Sequence, residues 1–164
     1  MAVEREEGSV LLNVRSESKR HRRVITHSPD GAGGWAPPRY DEALLEPICM
    51  ASLLRLPWKD GGRPVWLFSN PDNLRRGDGK EPPGVNRDRR NLTVKVSRDE
   101  GRSWTAGRVV DPGFAGYSDL AAADGWTYLL YERGAAGEDH FRPAALTLVR
   151  FPLAWLEEGA VNRK

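Results

Sequence analysis

The sequence predicts an all-β fold built from short antiparallel strands, and three observations support this prediction. Two octets, residues 97–104 and 28–35, place Ser, Asp and Trp at matching offsets. Apolar and polar residues alternate in several short runs, as half-buried strands require. The 164-residue chain contains 17 glycines and 12 prolines, and turn residues separate the runs. Repeated octets are typical of repeat architectures, so we expect successive similar sheets.

The complete octet begins at Ser97 and reads S-x-D-x-G-x-[ST]-W. Its Asp99 can accept hydrogen bonds from N–H groups of its own loop, and Gly101 tolerates a positive φ. Trp104 provides a large apolar anchor for the turn. The octet 28–35 is a degenerate copy, with Ala where the first has Gly. Residues of this kind build a β-hairpin turn and carry no catalytic chemistry.

The strand-like runs extend along the whole chain. Residues 70–90 form a long polar loop, of a length typical of functional or disordered loops. One short helical turn is expected at Leu153–Glu157. With four strands to a blade, the chain supplies about three propeller blades, fewer than a closed propeller needs. The predicted strands are Val10–Arg15, Arg23–Thr26, Ile48–Leu56, Val65–Ser69, Leu92–Val96, Tyr117–Leu120, Thr127–Tyr131 and Ala145–Phe151.

Composition narrows the possible partners. The net charge is only +2, so we expect no nucleic-acid partner, and the basic run Lys19–Arg23 is interpreted as a solvated strand or turn edge. No apolar run is long enough for a membrane span. Cys49 is the only cysteine, and its apolar surroundings predict a buried structural thiol. The three histidines lack metal-ligand spacing, so no metal or cofactor is expected.

Four segments carry a resemblance to the catalytic domain of bacterial exo-sialidases (neuraminidases) of the glycoside hydrolase family 33 type. They occur in the family's order, and the octets are similar to the Asp-boxes of its BNR repeats. The resemblance covers almost the whole chain and implies that residues 1–164 are the C-terminal portion of a six-bladed β-propeller. It also implies a sialylated glycan as substrate. The four segments are Leu11–Arg15, Arg89–Thr93, Gly116–Leu120 and Leu129–Glu132.

The resemblance implies that Arg15 and Arg89 are two of the three arginines that bind the carboxylate of sialic acid. A guanidinium group suits this task because its planar fork pairs bidentately with a carboxylate. Arg89 is preferred because it lies eight residues before Ser97, which is the family's spacing. The same loop holds the alternatives Arg87 and Arg90 and, at a greater distance, Arg75 and Arg76.

Tyr117 matches the family's nucleophile, which is a tyrosine rather than the usual carboxylate. A neutral phenol is not repelled by the substrate's carboxylate, but it needs a base to remove its proton. The resemblance places that activating Glu at or just before Met1, and it places the first arginine and the acid/base Asp further upstream. Glu132 resembles an acidic residue that supports an arginine. We therefore expect a sialidase chain that is inactive or nearly so without the N-terminal blades.

Two other functions remain open from the sequence. Asp-boxes also occur outside sialidases, so the chain could be a non-catalytic propeller that binds glycans or proteins. A propeller glycosidase with two catalytic carboxylates is the second alternative, and it would place Asp or Glu where this chain has Tyr117. The order and spacing of Arg15, Arg89 and Tyr117 favour the sialidase.

Overall fold

The computed structural model describes residues 1–76, 78, 80, 87–134 and 142–161 and is almost entirely β-structure, which confirms the predicted fold class. The described residues form ten strands and one helix. The elements are β1 (Ala2–Glu4), β2 (Val10–Val14), β3 (Arg22–Ser28), β4 (Arg39–Leu45), β5 (Ser52–Asp60), β6 (Arg63–Pro71), β7 (Arg90–Ser97), β8 (Arg108–Ala123), β9 (Trp126–Arg133), β10 (Ala145–Pro152) and α1 (Leu153–Val161).

The strands form three antiparallel, blade-like groups. The first is the sheet β1-β2-β3-β4, and the other two share one sheet of order β10-β9-β8-β7-β6-β5. The long strand β8 joins them, because its first half pairs with β7 and its second half, from Ala115, pairs with β9. The number of blades matches the prediction. The third group differs, since it has three described strands and takes one of them from β8.

Several predicted boundaries change. The run predicted from Ile48 enters β5 only at Ser52, because Ile48 has a positive φ of 57° and lies in a turn. The strand β4 was not predicted, because its sequence RYDEALL is largely polar. The terminal helix also continues to Val161 rather than ending at Glu157. Part of the polar loop 70–90 lies outside the described residues.

The strand β6 is buried on both faces. Trp66 and Phe68 point into one hydrophobic cluster with residues of the first sheet, whereas Val65 and Leu67 point into a second cluster with β7, β8 and β9. All four side chains are fully buried. Because side chains alternate across a strand, both clusters are built from one short run of sequence.

Both octets form the predicted turn. In the first, the Ser97 hydroxyl donates to Asp99 Oδ1 at 2.8 Å and accepts the N–H of Gly101 at 2.8 Å. In the second, Ser28 donates to Asp30 Oδ1 at 3.1 Å. The two aspartates also accept hydrogen bonds from backbone N–H groups of their own loops. The repeated sequence therefore builds a repeated turn.

The tryptophans of the two octets differ in their environment. Trp104 packs on Phe68, with ring centroids 5.9 Å apart, and its Nε1 donates to Asp41 Oδ2 at 3.3 Å. This contact ties the second group of strands to the first sheet and confirms the predicted anchor. Trp35 is 39% exposed and does not belong to either core cluster of the described residues, so it does not anchor its turn in the way that Trp104 does.

Replacement of Asp99 by Asn tests the turn, because the amide keeps an oxygen but loses the charge that strengthens its hydrogen bonds. Burial alone would raise the pKa of Asp99, but hydrogen bonds from Ser103 and Ser97 outweigh it and lower that pKa. The carboxylate therefore stabilises the fold above the ordinary Asp pKa, and this contribution is lost as pH falls through the lowered pKa. We expect Asp99→Asn to reduce the free energy of unfolding by about 1 kcal/mol at neutral pH.

Denaturant unfolding at neutral pH and near pH 2 measures the difference in free energy of unfolding between Asp99→Asn and the wild type. This difference should vanish at the acidic pH. The matched control is Asp124→Asn, at the tip of the β8–β9 turn, where a φ of 50° suits Asn as well as Asp. A loss of equal size at both pH values would contradict the assignment.

Candidate active site

The end of β2, the segment before β5 and the middle of β8 line an open cavity of about 320 Å³. Arg15 follows β2 directly, and Tyr117 lies at an outward position of β8 between two buried residues. The Arg15 side chain is 39% exposed and Tyr117 is 37% exposed, so both are accessible to a ligand. The lining residues are Met1, Asn13, Val14, Arg15, Arg23, Met50, Ala51 and Tyr117.

Arg89 lies against the same tyrosine. Its Cζ is 5.4 Å from the centroid of the Tyr117 ring, and its Nη2 donates to the carbonyl of Ile48 at 2.8 Å. Arg90 is directed elsewhere, with its Cζ 4.5 Å from the ring of Phe114 and its Nε 3.4 Å from Asp88. Of these two neighbouring arginines, the structure brings Arg89 to Tyr117.

Arg87 adds a third positive charge to this region. Burial lowers the pKa of its guanidinium, the carboxylate of Glu46 opposes that effect, and repulsion from Arg89 and Arg15 lowers the pKa further. The charge of Arg87 is thus coupled to the charges of Arg89 and Arg15. Arg15 lines the cavity beside Tyr117 and Arg89 lies against the Tyr117 ring, and positive charges gathered around one residue favour an anionic ligand. Of the more distant alternatives, Arg76 forms an ion pair with Asp78 at 3.1 Å.

Glu132 is positioned by the backbone of the candidate nucleophile. Its Oε2 accepts a hydrogen bond from the N–H of Tyr117 at 2.9 Å. Within the described part of the chain, Glu132 forms no ion pair with an arginine, so its predicted support of an arginine remains a prediction. The close approach depends on Gly116, because a Cβ at that position would lie 2.3 Å from Glu132 Oε2.

A second cavity of about 170 Å³ lies on the other side of Tyr117 and Met50. Its carboxylates already have partners, since Asp119 Oδ1 accepts from the Ser52 hydroxyl at 2.9 Å and Glu132 binds the N–H of Tyr117. Tyr117 and Met50 therefore lie between a cavity whose charged lining residues are arginines and one whose charged lining residues are carboxylates. The remaining lining residues are Ser118, Leu130, Tyr131 and Leu146.

The basic run Lys19–Arg23 is not entirely solvated, because Arg23 is only 1% exposed. Its Nε donates to Asn13 Oδ1 at 2.7 Å, and its Nη1 contacts the carboxylate of Glu46. Burial lowers the pKa of Arg23, and Glu46 opposes this effect. The signal for a buried Arg was present in the sequence, since Arg23 and Ile25 share one face of a strand with period two.

Cys49 is a free, fully buried thiol, as predicted. Burial raises the pKa of this thiol to about 11, so it is neutral at neutral pH and a poor nucleophile. Its Sγ contacts the carbonyl of Gly116 at 3.4 Å, next to Tyr117. The thiol therefore packs the floor of the site rather than taking part in chemistry.

No cluster of three or more His, Cys, Asp and Glu residues suited to a metal ion occurs in the part of the chain that the structure describes. Among the same residues, no helix has the length and apolar character needed to cross a membrane.

The fold and the repeated turn define a class of protein, the propellers built from BNR-type repeats. Residues 1–129 match the family model of the BNR repeat-like domain. Over 160 residues the chain is 32% identical to a sialidase of Micromonospora viridifaciens, covering 94% of this chain and 21% of that protein. A sialidase of Bacteroides fragilis is 33% identical over 141 residues, covering 82% of this chain and 24% of that protein.

Solved structures give the same fold. The NanB sialidase of Streptococcus pneumoniae superposes with a TM-score of 0.73 at 14% identity, covering 95% of this chain and 23% of that one. The chain therefore belongs to the BNR repeat-like domain family and is related to the bacterial sialidases. It spans 21% and 24% of the length of the two curated relatives.

Replacement of Gly116 by Ala tests the contact between Glu132 and the Tyr117 backbone. The new methyl group would displace the carboxylate, so we expect a loss of about 1–3 kcal/mol in the free energy of unfolding. The matched control is Gly33→Ala, where an added Cβ meets nothing within 4 Å. Because the clash needs both side chains, Gly116→Ala should cost much less in a Glu132→Ala background. Additive losses in denaturant unfolding would contradict this account.

Proposed function

We propose that this chain supplies the nucleophile and two carboxylate-binding arginines of an exo-α-sialidase, a glycosidase that removes terminal sialic acid from glycoconjugates. The observation that carries the proposal is the arrangement around Tyr117. Arg15 lines the same cavity as this tyrosine, and Arg89 places its guanidinium 5.4 Å from the ring centroid. The relatives that are named sialidases support the same function.

The first step is recognition of the substrate's charge. Sialic acid carries a carboxylate on its anomeric carbon, and a guanidinium group can pair with it through two parallel hydrogen bonds. Arg15 and Arg89 bind this carboxylate, and the nearby charge of Arg87 strengthens the attraction. A cavity of about 320 Å³ is of the size that holds a small ligand. Binding of the carboxylate would place the anomeric carbon beside Tyr117.

The second step is nucleophilic substitution with retention. A base takes the phenolic proton while the Tyr117 oxygen forms a bond to the anomeric carbon and the bond to the aglycone oxygen breaks. The bonding electron pair leaves with the aglycone oxygen, which takes a proton from a general acid. Water then attacks the same carbon and gives a proton to the group that protonated the aglycone, while the Tyr117 oxygen leaves and takes its proton back from the base. The two displacements restore the original configuration.

The proton-transfer groups come, in this proposal, from elsewhere in the complete protein. No carboxylate lines the larger cavity among the residues that the structure describes. Within that same part of the chain, the structure records no hydrogen bond to the Tyr117 hydroxyl. The phenol of a tyrosine has an ordinary pKa near 10 and reacts poorly unless a base activates it. In the same proposal, N-terminal blades outside residues 1–164 also supply the first of the three carboxylate-binding arginines.

In the full-length protein, Tyr117→Phe should reduce kcat for a fluorogenic sialoside by about 10³-fold or more, because the nucleophilic oxygen is lost. The matched control is Tyr128→Phe on β9, a second tyrosine that does not line either cavity described above. Full turnover by Tyr117→Phe would exclude the proposed nucleophile. Sialoside binding by the wild-type protein without any cleavage would instead support a glycan-binding module.

Arg15→Ala and Arg89→Ala should each weaken binding of free sialic acid by about tenfold to a hundredfold, since each removes a charge-assisted pair. The control is Arg63→Ala, an exposed arginine at the start of β6. Isothermal titration measures the affinities. An unchanged affinity for either site variant would remove that arginine from the proposed site.

Residues 1–164 alone should release no more than a trace of the fluorogenic aglycone, because general acid–base assistance contributes about 10²–10⁴-fold. The comparison is the full-length protein at equal concentration in the same assay. Strong turnover by the short chain, abolished by Tyr117→Phe, would show that the chain contains its own acid and base.

A further inference from the structure

A buried ion pair lies beneath the larger cavity. The side chains of Arg23 and Glu46 are 2% and 0% exposed, and the Arg23 Nη1 contacts the Glu46 carboxylate. The remaining hydrogen bonds of Arg23 reach Asn13 Oδ1 at 2.7 Å and the carbonyl of Cys49 at 3.3 Å. The pair therefore connects strand β2 to the segment that precedes β5.

Glu46 binds the backbone next to both candidate arginines. Its Oε2 accepts the N–H of Ser16 at 3.3 Å, directly after Arg15. Its Oε1 accepts the N–H of Cys49 at 2.9 Å, directly after the residue whose carbonyl receives a hydrogen bond from Arg89. The Glu46 carboxylate therefore binds the residue that follows Arg15 and the residue that follows Ile48, the backbone acceptor of Arg89.

Ile48, whose carbonyl accepts the hydrogen bond from Arg89, has a strained backbone conformation. Ile48 has a φ of 57°, a left-handed conformation that is unfavourable for a β-branched side chain. Such a conformation persists only where its surroundings hold it. The hydrogen bonds of Glu46 and Arg23 to the N–H and carbonyl of Cys49 fix the next residue along the chain.

We propose that Arg23 and Glu46 are positioning residues that set the separation between Arg15 and Arg89. This inference rests on the proposed function, which assigns those arginines to one carboxylate. A negative charge beneath an anion site opposes anion binding by electrostatics alone. Glu46 therefore contributes by holding the geometry, and this contribution exceeds its repulsion of the ligand.

The two effects predict opposite signs for Glu46→Gln. If Glu46 acts only as a charge, its neutralisation tightens carboxylate binding. If Glu46 positions the arginines, binding weakens, because the Gln oxygen and amide cannot accept both backbone N–H groups. The measured quantity is the affinity of the full-length protein for N-acetylneuraminic acid, divided by that for its uncharged methyl ester.

We expect Glu46→Gln to lower this acid-to-ester ratio by about tenfold. Glu46→Asp keeps the charge but shortens the side chain, so the ratio should fall there as well. The stability control is Leu156→Ala, a buried residue of α1 that does not line either cavity described above, and it should leave the ratio unchanged. An unchanged or higher ratio in both Glu46 variants would overturn the inference.

A separate readout distinguishes this inference from the proposed function. A wild-type protein that does not prefer the acid over the ester would refute the proposed function. The side-chain Nε resonances of Arg15 and Arg89 then test the positioning role without a ligand. They should shift in Glu46→Asp and remain in place in Leu156→Ala. Unchanged resonances in Glu46→Asp would refute the positioning role.

Discussion

The structure depends on one packing constraint, which is that a blade-like sheet must bury both of its faces. The strand β6 shows how the sequence meets this constraint, because Trp66 and Phe68 fill one interface while Val65 and Leu67 fill the other. A run of consecutive apolar residues is the pattern of a doubly buried strand. Trp104 then adds a contact across the first interface, through Phe68 and Asp41.

Under the same constraint, several polar residues of the candidate site lie at strand ends and in connecting segments. Arg15 follows a strand, Arg89 precedes one, and Ile48 lies in the turn before β5. Tyr117 lies within a strand, and it faces outward because its neighbours on β8 are buried. The core thus fixes where the backbone runs, and short local contacts decide which side chains meet.

Much of the fold was predictable from the sequence because turns and alternation are local signals. The octets predicted two hairpin turns, which the structure confirms. The family's spacing to Ser97 favoured Arg89 over Arg90 as a binding residue, which stays a prediction, and the two neighbouring arginines approach different rings. The β4 strand was missed because its buried positions include Asp41, whose partner Trp104 is remote in the sequence. The sequence alone cannot reveal a partner of that kind.

The buried residues of the site were the least predictable, because their partners are also remote in the sequence. Arg23 was placed with its solvated neighbours because charge is an exposure signal, although its position in the alternating strand indicated the core. Its partner Glu46 lies 23 residues away, and nothing in the local sequence connects them. An arginine can be buried only where a counter-charge and hydrogen-bond acceptors are already in place.

The need of a buried arginine for a counter-charge bears on how Arg23 and Arg15 can line one cavity. Arg23 is enclosed and is matched by Glu46, whereas the Arg15 side chain is 39% exposed, so solvent screens its charge. Solvent at Arg15 therefore partly screens the repulsion that Arg15 and Arg89 exert on Arg87. A bound carboxylate would relieve more of the repulsion than a neutral ligand of the same shape. Under the proposed function, selectivity for an acidic sugar would follow from this charge balance, and the proposed role of Glu46 would be to hold Arg15 and Arg89 for one shared ligand.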